Sequence, residues 1–180
     1  QQEKFVKPST MPITRLVNSA IDQVKVNHQS VVDDLLAYGE TDLICYRVTE
    51  PADLVQLQKE NWDPVLHWAR KDLGIDLKCV YGLRYVPQSL EALKEIQTQL
   101  NEPDCFALTG ISELVNISGS LLLGLAVYHN FLKPDEAWRK SVLDEVWHCS
   151  KWGHDEESRN ARQRKLEDFK FAYQFLSLLN

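Results

Sequence analysis

The sequence predicts an all-α fold, an orthogonal or antiparallel bundle of about seven helices with one non-helical loop. Three observations carry that prediction. Apolar residues recur at helical spacing along most of the 180 residues. Proline, glycine and capping residues interrupt those stripes at short intervals. The stretch from Asp104 to Asn130 is apolar on every side, as the central helix of a bundle must be.

The elements follow in order. Ile13, Leu16, Val17, Ala20, Ile21 and Val24 share one face of a first helix. Val31, Val32, Leu35 and Leu36 repeat the pattern in a second, with Gly39 as its stop. Tyr38 to Val48 is mixed, either an extended connector or the start of another helix. Pro51 fits the first turn of a helix to about Asn61. Asp63-Pro64 repeats the signal, Asp63 as cap and Pro64 at the first helical position, for a helix that ends at Gly74-Ile75. Asp76 to Pro87 is the loop, with Val80, Tyr81, Tyr85 and Val86 able to form a short strand. Ser89 caps a helix carrying Leu90, Leu93, Ile96 and Leu100. In the central stretch, Gly110, Gly119, Ser120 and Gly124 allow neighbouring helices close approach. Pro134-Asp135-Glu136 opens a helix to about Trp152, stopped by Gly153. Asp155 caps the last, whose stripe is Leu166, Phe169, Tyr173, Leu176 and Leu179.

Composition narrows the function classes. A net charge of −6 disfavours nonspecific binding to nucleic acid or anionic membrane and favours a basic partner surface. No apolar run is long enough to span a bilayer. Cys45, Cys79, Cys105 and Cys149 form no CxxC pair, and read most simply as buried thiols in a reducing compartment, with a disulfide as the competing reading.

The candidate chemical motifs are thin. HExxH, GxSxG and P-loop patterns are absent. Asp144 and His148 are the one helical i,i+4 pair of ligand types in their region, short of the three or four ligands zinc requires. His148 and Cys149 are adjacent and therefore point about 100° apart on a helix. Arg159, Arg162, Arg164 and Lys165 alternate with acids and read as a solvated helix face. No catalytic residue, cofactor site or metal site is assigned, and no small-molecule substrate is implied. A carboxylate–histidine enzyme around Asp144 and His148, and a helical scaffold for some other complex, are the rival readings.

The stretch LDEVWHCSKWGHDEE, Leu143 to Glu157, concentrates two tryptophans, two histidines and five carboxylates. Large aromatics beside acidic groups suit a recognition surface better than a reaction centre. Core packing is the default for each of Trp62, Trp68, Trp138, Trp147 and Trp152, with Trp152 placed to anchor the corner between the last two helices.

This stretch, with MPITRLVNSAID (Met11–Asp22), YGETDLICYRV (Tyr38–Val48), QKENWDPVLHW and Gly119-Ser120, resembles the assembly chaperones of the F-type ATP synthase. Those proteins attend the free alpha subunit of the catalytic head. The resemblance runs in order over nearly all of the chain. It implies a protein that is not an enzyme and that holds an unassembled alpha subunit until a beta subunit replaces it. It implies an alphaproteobacterial cytoplasm or a mitochondrial matrix. The family has a β-rich N-terminal domain followed by a helical one, and residues 1–180 match the helical domain as a single unit. The family's prominent acidic residue maps onto Glu145, beside Asp144. His148 stands where the family tends to have Gln. The implied partner-binding residues are Glu145, Asp144, Trp152 and Asp155, with Glu40, Asp42, Arg47, Trp62 and Asp63 as a second group. For that second group, helix capping by Asp63 and an internal Asp42–Arg47 ion pair are the structural alternatives.

Overall fold

The computed structural model describes residues 11–82, 84–153 and 156–179. Among the described residues the fold is nine α-helices with one two-stranded sheet. The helical class is as the sequence predicts. The number differs because one predicted pair is fused and two predicted helices are each split.

α1 (Pro12–Ser19) runs on as a wider π turn over Ala20–Val24, and α2 spans His28–Glu40. Gly39 does not stop α2 but lies inside it, where a Cβ would fall 2.7 Å from Ile96 Cδ1. A 3₁₀ turn, Leu43–Cys45, then leads into β1, Tyr46–Arg47. The fused helix is α3, Ala52–Asp72, with Pro64 in its interior. The missing N–H costs roughly 3 kcal/mol in a helix interior. Burial offsets it: Leu54, Gln58, Trp62, Val65 and Ala69 form one buried stripe that passes the proline without losing phase. Asp63 is therefore mid-helix and not a cap. Gly74 stops the helix at φ +71°, and the Ile75 N–H returns to the Ala69 carbonyl.

The predicted loop contains β2, Val80–Tyr81, parallel to β1, with Tyr46 opposite Val80 and Arg47 opposite Tyr81. Parallel strands need a crossover, and α3 supplies it. α4 (Leu90–Asn101) starts at Ser89, whose hydroxyl accepts from the Ala92 N–H at 3.1 Å, as expected.

The apolar central stretch is two helices, α5 (Cys105–Ser118) and α6 (Leu121–Tyr128). Gly119 ends α5 at φ +73°, a conformation that strains any other residue, and Ser120 caps α6 through the Leu123 N–H. The second split separates α7 (Pro134–Ser141) from α8 (Leu143–Trp152) at Val142, without glycine or proline. There the Ser141 hydroxyl donates to the Trp138 carbonyl at 2.8 Å, and the Trp138 ring is fixed against Phe169 at 5.9 Å between centroids. α9, Glu156–Ser177, closes the bundle. α5 runs through the centre, packed on α1, α2, α6 and α9.

Asp42 joins the parts. It is fully buried. Its Oδ1 accepts from the Ser120 hydroxyl at 2.7 Å and the Ile44 N–H at 3.1 Å, and its Oδ2 accepts from the Leu122 N–H at 2.9 Å. One carboxylate thus caps the 3₁₀ turn and sits at the positive end of α6. Burial pushes its pKa up to about 6, against the opposing effect of its hydrogen bonds to Ser120, Leu122 and Ile44.

Two outcomes are expected. Because the folded pKa of Asp42 lies above its unfolded value, the native state holds the extra proton. Its contribution to stability is complete below about pH 4 and is lost as pH rises through about 6. Asp42→Asn should remove that component from the dependence of melting temperature on pH; parallel wild-type and variant profiles would contradict the assignment. Gly110→Ala should destabilise by about 1–3 kcal/mol in urea unfolding, although alanine is the better helix former, because its Cβ would lie 2.5 Å from Leu176 Cδ2 on α9.

Candidate functional site

The site is the outer surface of α8 and the supports beneath it. Its first turn is held from below by α3. Gln58, buried in the α3 stripe, donates from Nε2 to both Asp144 carboxylate oxygens at 2.9 and 3.0 Å. The Gln58 Oε1 accepts from the Val48 N–H at 3.0 Å. One amide thus ties the chain after β1, α3 and α8 together. Four residues on, Trp62 is buried, and its Nε1–H donates to the Lys140 carbonyl at the end of α7, 2.9 Å away. Arg47 covers the Trp62 ring at 5.1 Å and donates from Nε to the Ile44 carbonyl at 2.7 Å. Its Nη2 forms a close ion pair with Asp63 Oδ1 at 2.9 Å, out of line for a hydrogen bond.

The far end of α8 is held at a second point. Asp53, in the first turn of α3, pairs with Lys151 at 2.8 Å and accepts from Trp147 Nε1 at 3.3 Å. The hydrogen bond from Lys151 holds the Asp53 carboxyl below its ordinary pKa. Lys151 also lies over the Trp147 ring at 5.2 Å.

On its third side α8 faces α9. Arg162, with a side chain only 15% exposed, pairs with Glu145 Oε1 at 3.2 Å and reaches Cys149 Sγ at 4.0 Å. The pair borders a cleft of about 440 Å³ between the end of α5, α8 and α9, into which Lys165 and Ser118 also face.

Between these anchors α8 turns aromatic groups outward. The His148 ring stacks on Trp152 with centroids 5.0 Å apart and planes at 21°. Trp147 meets Trp152 edge-on at 5.7 Å. Trp152 is 72% exposed, and Val146 and His148 are exposed too. Trp152 therefore does not anchor a corner of the core, as the sequence suggested. It completes a surface platform of three rings. A tryptophan held open on a rigid helix is costly to leave in water and is the residue type that dominates binding energy at interfaces.

The structure sorts the sequence-derived residues. Glu145 and Trp152 are on the surface of α8. Asp144 is half-buried against Gln58, and Asp155 lies outside the described residues. Glu40 ends α2 half-buried, and Asp63 is half-exposed at its pair with Arg47. Asp42, Arg47 and Trp62 are buried and belong to the support under α8, with no face to offer a partner. The expected Asp42–Arg47 ion pair is absent: Arg47 pairs with Asp63, and Asp42 binds the end of α6. Arg162 is not part of a solvated face but nearly covered by α8. The linking roles of Gln58 and Asp53 were missed. Gln58 carried a signal, a polar residue in phase with the apolar stripe of α3. Asp53 carried none, because an acid in a first helical turn is ordinary.

Asp144 and His148 turn to different partners. The Asp144 carboxylate faces Gln58 while the His148 ring lies on Trp152. Among the described residues no three His, Cys, Asp or Glu side chains converge as a metal site would require.

Comparison with known proteins places this geometry. The family model described as ATP12 chaperone protein matches residues 1–70. The crystal structure of Atp12 from Paracoccus denitrificans superposes with a TM-score of 0.95 at 35% identity, covering 99% of this chain and 77% of that one. A putative chaperone from Agrobacterium tumefaciens superposes with a TM-score of 0.93 at 36% identity, covering 97% of this chain and 66% of that one. The mitochondrial protein atp12 of Schizosaccharomyces pombe is 24% identical over 172 residues, 91% of this chain. The chain spans 59% of that protein's length.

Two substitutions should separate support from surface. Gln58→Leu should cost about 1–3 kcal/mol in denaturant unfolding, since it strips hydrogen bonds from Val48 and Asp144 together. Trp152→Ala should change stability by less than about 0.5 kcal/mol. A large loss of stability from Trp152→Ala would mean that the platform is part of the core.

Proposed function

We infer the function from one premise: the chain belongs to the ATP12 chaperone family. On that premise it is a non-enzymatic chaperone in the assembly of the proton-translocating ATP synthase. Its client is the unassembled alpha subunit of the catalytic head, held until a beta subunit takes its place. It needs no nucleotide, cofactor or metal. The compartment is the bacterial cytoplasm or the mitochondrial matrix, in keeping with relatives from both kinds of source.

The observation that carries this reading is the α8 surface, where an exposed tryptophan platform stands beside Glu145 on a helix fixed at three points. A free subunit exposes an apolar interface that its later partner will cover. A chaperone must shield that interface and then let go. A few aromatic anchors with an acidic rim give affinity without the large dry contact of a permanent complex. Trp152 and Glu145 make the client contact, and Asp144 and Asp155 contribute to it. Glu40 and Asp63 extend the contact, and Asp42, Arg47 and Trp62 hold its scaffold.

The test is co-elution of the chain with freshly refolded alpha subunit, with beta subunit as control. Wild type should form a complex with alpha and not beta. Glu145→Lys should abolish it, and Trp152→Ala should weaken it at least about tenfold. Glu145→Lys also sets a second cation beside Arg162, so the exchanged pair Glu145→Arg with Arg162→Glu is the deciding variant. It restores the α8–α9 ion pair while removing the outward acid. Continued loss of binding identifies Glu145 as a contact, whereas recovery identifies it as a brace. Failure of wild type to bind alpha, with any preceding domain restored as well, would sink the chaperone reading.

A further inference from the structure

Two thiols stand beside the small sheet, and the function proposed above uses neither. The ladder pairs Tyr46 with Val80 and Arg47 with Tyr81. Cys45, which ends the 3₁₀ turn, and Cys79 immediately precede the first pair, Tyr46 and Val80, so the two thiols stand at the same end of the ladder. Neighbouring strands run about 4.8 Å apart. That lies inside the Cα separation of about 4.4–6.8 Å that a disulfide bridges. The electrostatics agree with this placement. Burial, then Asp42, then Cys79 push the Cys45 thiol up, and Arg47 opposes them. Burial raises Cys79 as well, again against Arg47. Arg47 opposes the shift of both thiols, and Cys79 contributes to that of Cys45.

The two differ in access. Cys45 is fully buried. Cys79 is half-buried and lines an open cleft of about 290 Å³ between α3 and β2, with His67, Arg70 and Tyr81 on its walls. This is the arrangement of an attacking thiol with a resolving thiol behind it. Both are free thiols in the structure.

We propose that Cys45 and Cys79 are a dithiol–disulfide pair, a modification site oxidised by a small-molecule disulfide of the glutathione type. The Cys79 thiolate attacks one sulfur of the oxidant, forms a mixed disulfide and releases one thiolate. The Cys45 thiolate then attacks the Cys79 sulfur and expels the second. The protein loses two electrons and two protons, and the oxidant leaves as two thiols. Because burial keeps both cysteines protonated at neutral pH, the reaction is slow there and faster in mild alkali. The bond staples the residue before β1 to the residue before β2, across the whole of α3. It thereby fixes Arg47 and Val48, on which Trp62 and Gln58 rest beneath α8. The pair is independent of which client the chain binds.

The experiment is incubation of the folded chain with oxidised glutathione at about pH 8, where more thiolate is present. Free thiols are then blocked and the protein is mapped as unreduced peptides. The expected product is lighter by two hydrogens, carries a Cys45–Cys79 cross-link, melts at a higher temperature and reverts with dithiothreitol. Cys105 and Cys149 serve as internal controls. In Cys45→Ser the reaction should stop at the mixed disulfide on Cys79, and in Cys79→Ser the Cys45 thiol should stay unmodified while the chain is folded. Three results would each overturn the proposal: a wild-type product that stops at the mixed disulfide, a cross-link through Cys105 or Cys149, or no reaction at Cys79.

Discussion

A fully buried carboxylate, that of Asp42, organises this fold. Asp42 cannot be solvated, so it must be satisfied by protein donors, and the donors within reach lie on two different segments. Meeting that requirement fastens the chain after α2 to the start of α6, the most buried helix. It sets where β1 begins and hence where Arg47 and Val48 point. Arg47 then lies over Trp62, and the Val48 amide meets Gln58, which reaches Asp144 on α8. The route from the buried charge to the surface helix is a chain of short contacts with named donors and acceptors.

The consequence is rigidity at the surface proposed to meet the client. α8 is a short helix that would be marginal alone. Three ties, through Asp144, Glu145 and Lys151, reach two other helices, α3 and α9, and remove most of its freedom. A partner that docks on it need not supply the energy to order it. The surface ties are salt-sensitive and individually small, whereas the Gln58 link is sheltered and buried at one end. Gln58 supports the helix from below and Trp152 belongs to its outer face, so these two can be altered separately, whereas Glu145 lies on that face and also braces α8 against α9.

Much of the architecture was legible in the sequence because it rests on local rules. Ser89, Pro134 and Gly74 act where their chemistry requires, and the apolar stripes lie inside. The misplaced boundaries have tertiary causes. Pro64 is a strong local stop, yet the buried stripe of α3 overrides it. Val142 carries no break signal, and its break follows from how Trp138 is held against Phe169. The candidate site was half legible. Glu145 and Trp152 were named by the family resemblance of one dense stretch, while residue type alone placed Trp152 at a corner of the core. Composition could not show that Asp42, Arg47 and Trp62 are interior, because a buried polar residue is distinguished only by the donors that long-range folding brings to it. Arg162 was misread for the same reason, since its partner is on another helix.

The central claim is that a fixed α8 surface, and not the polar network under it, meets the client. Hydrogen exchange of the chain alone and in complex with the alpha subunit, read with side-chain footprinting of the tryptophans, tests it most directly. The account requires loss of labelling at Trp152 and Trp147 on binding, with amide protection in α3 near Gln58 and Trp62 already high in the free protein and unchanged in the complex. Protection centred instead on the loop around Tyr81 and Tyr85, with Trp152 labelled equally in both states, would place the binding surface elsewhere and contradict the account.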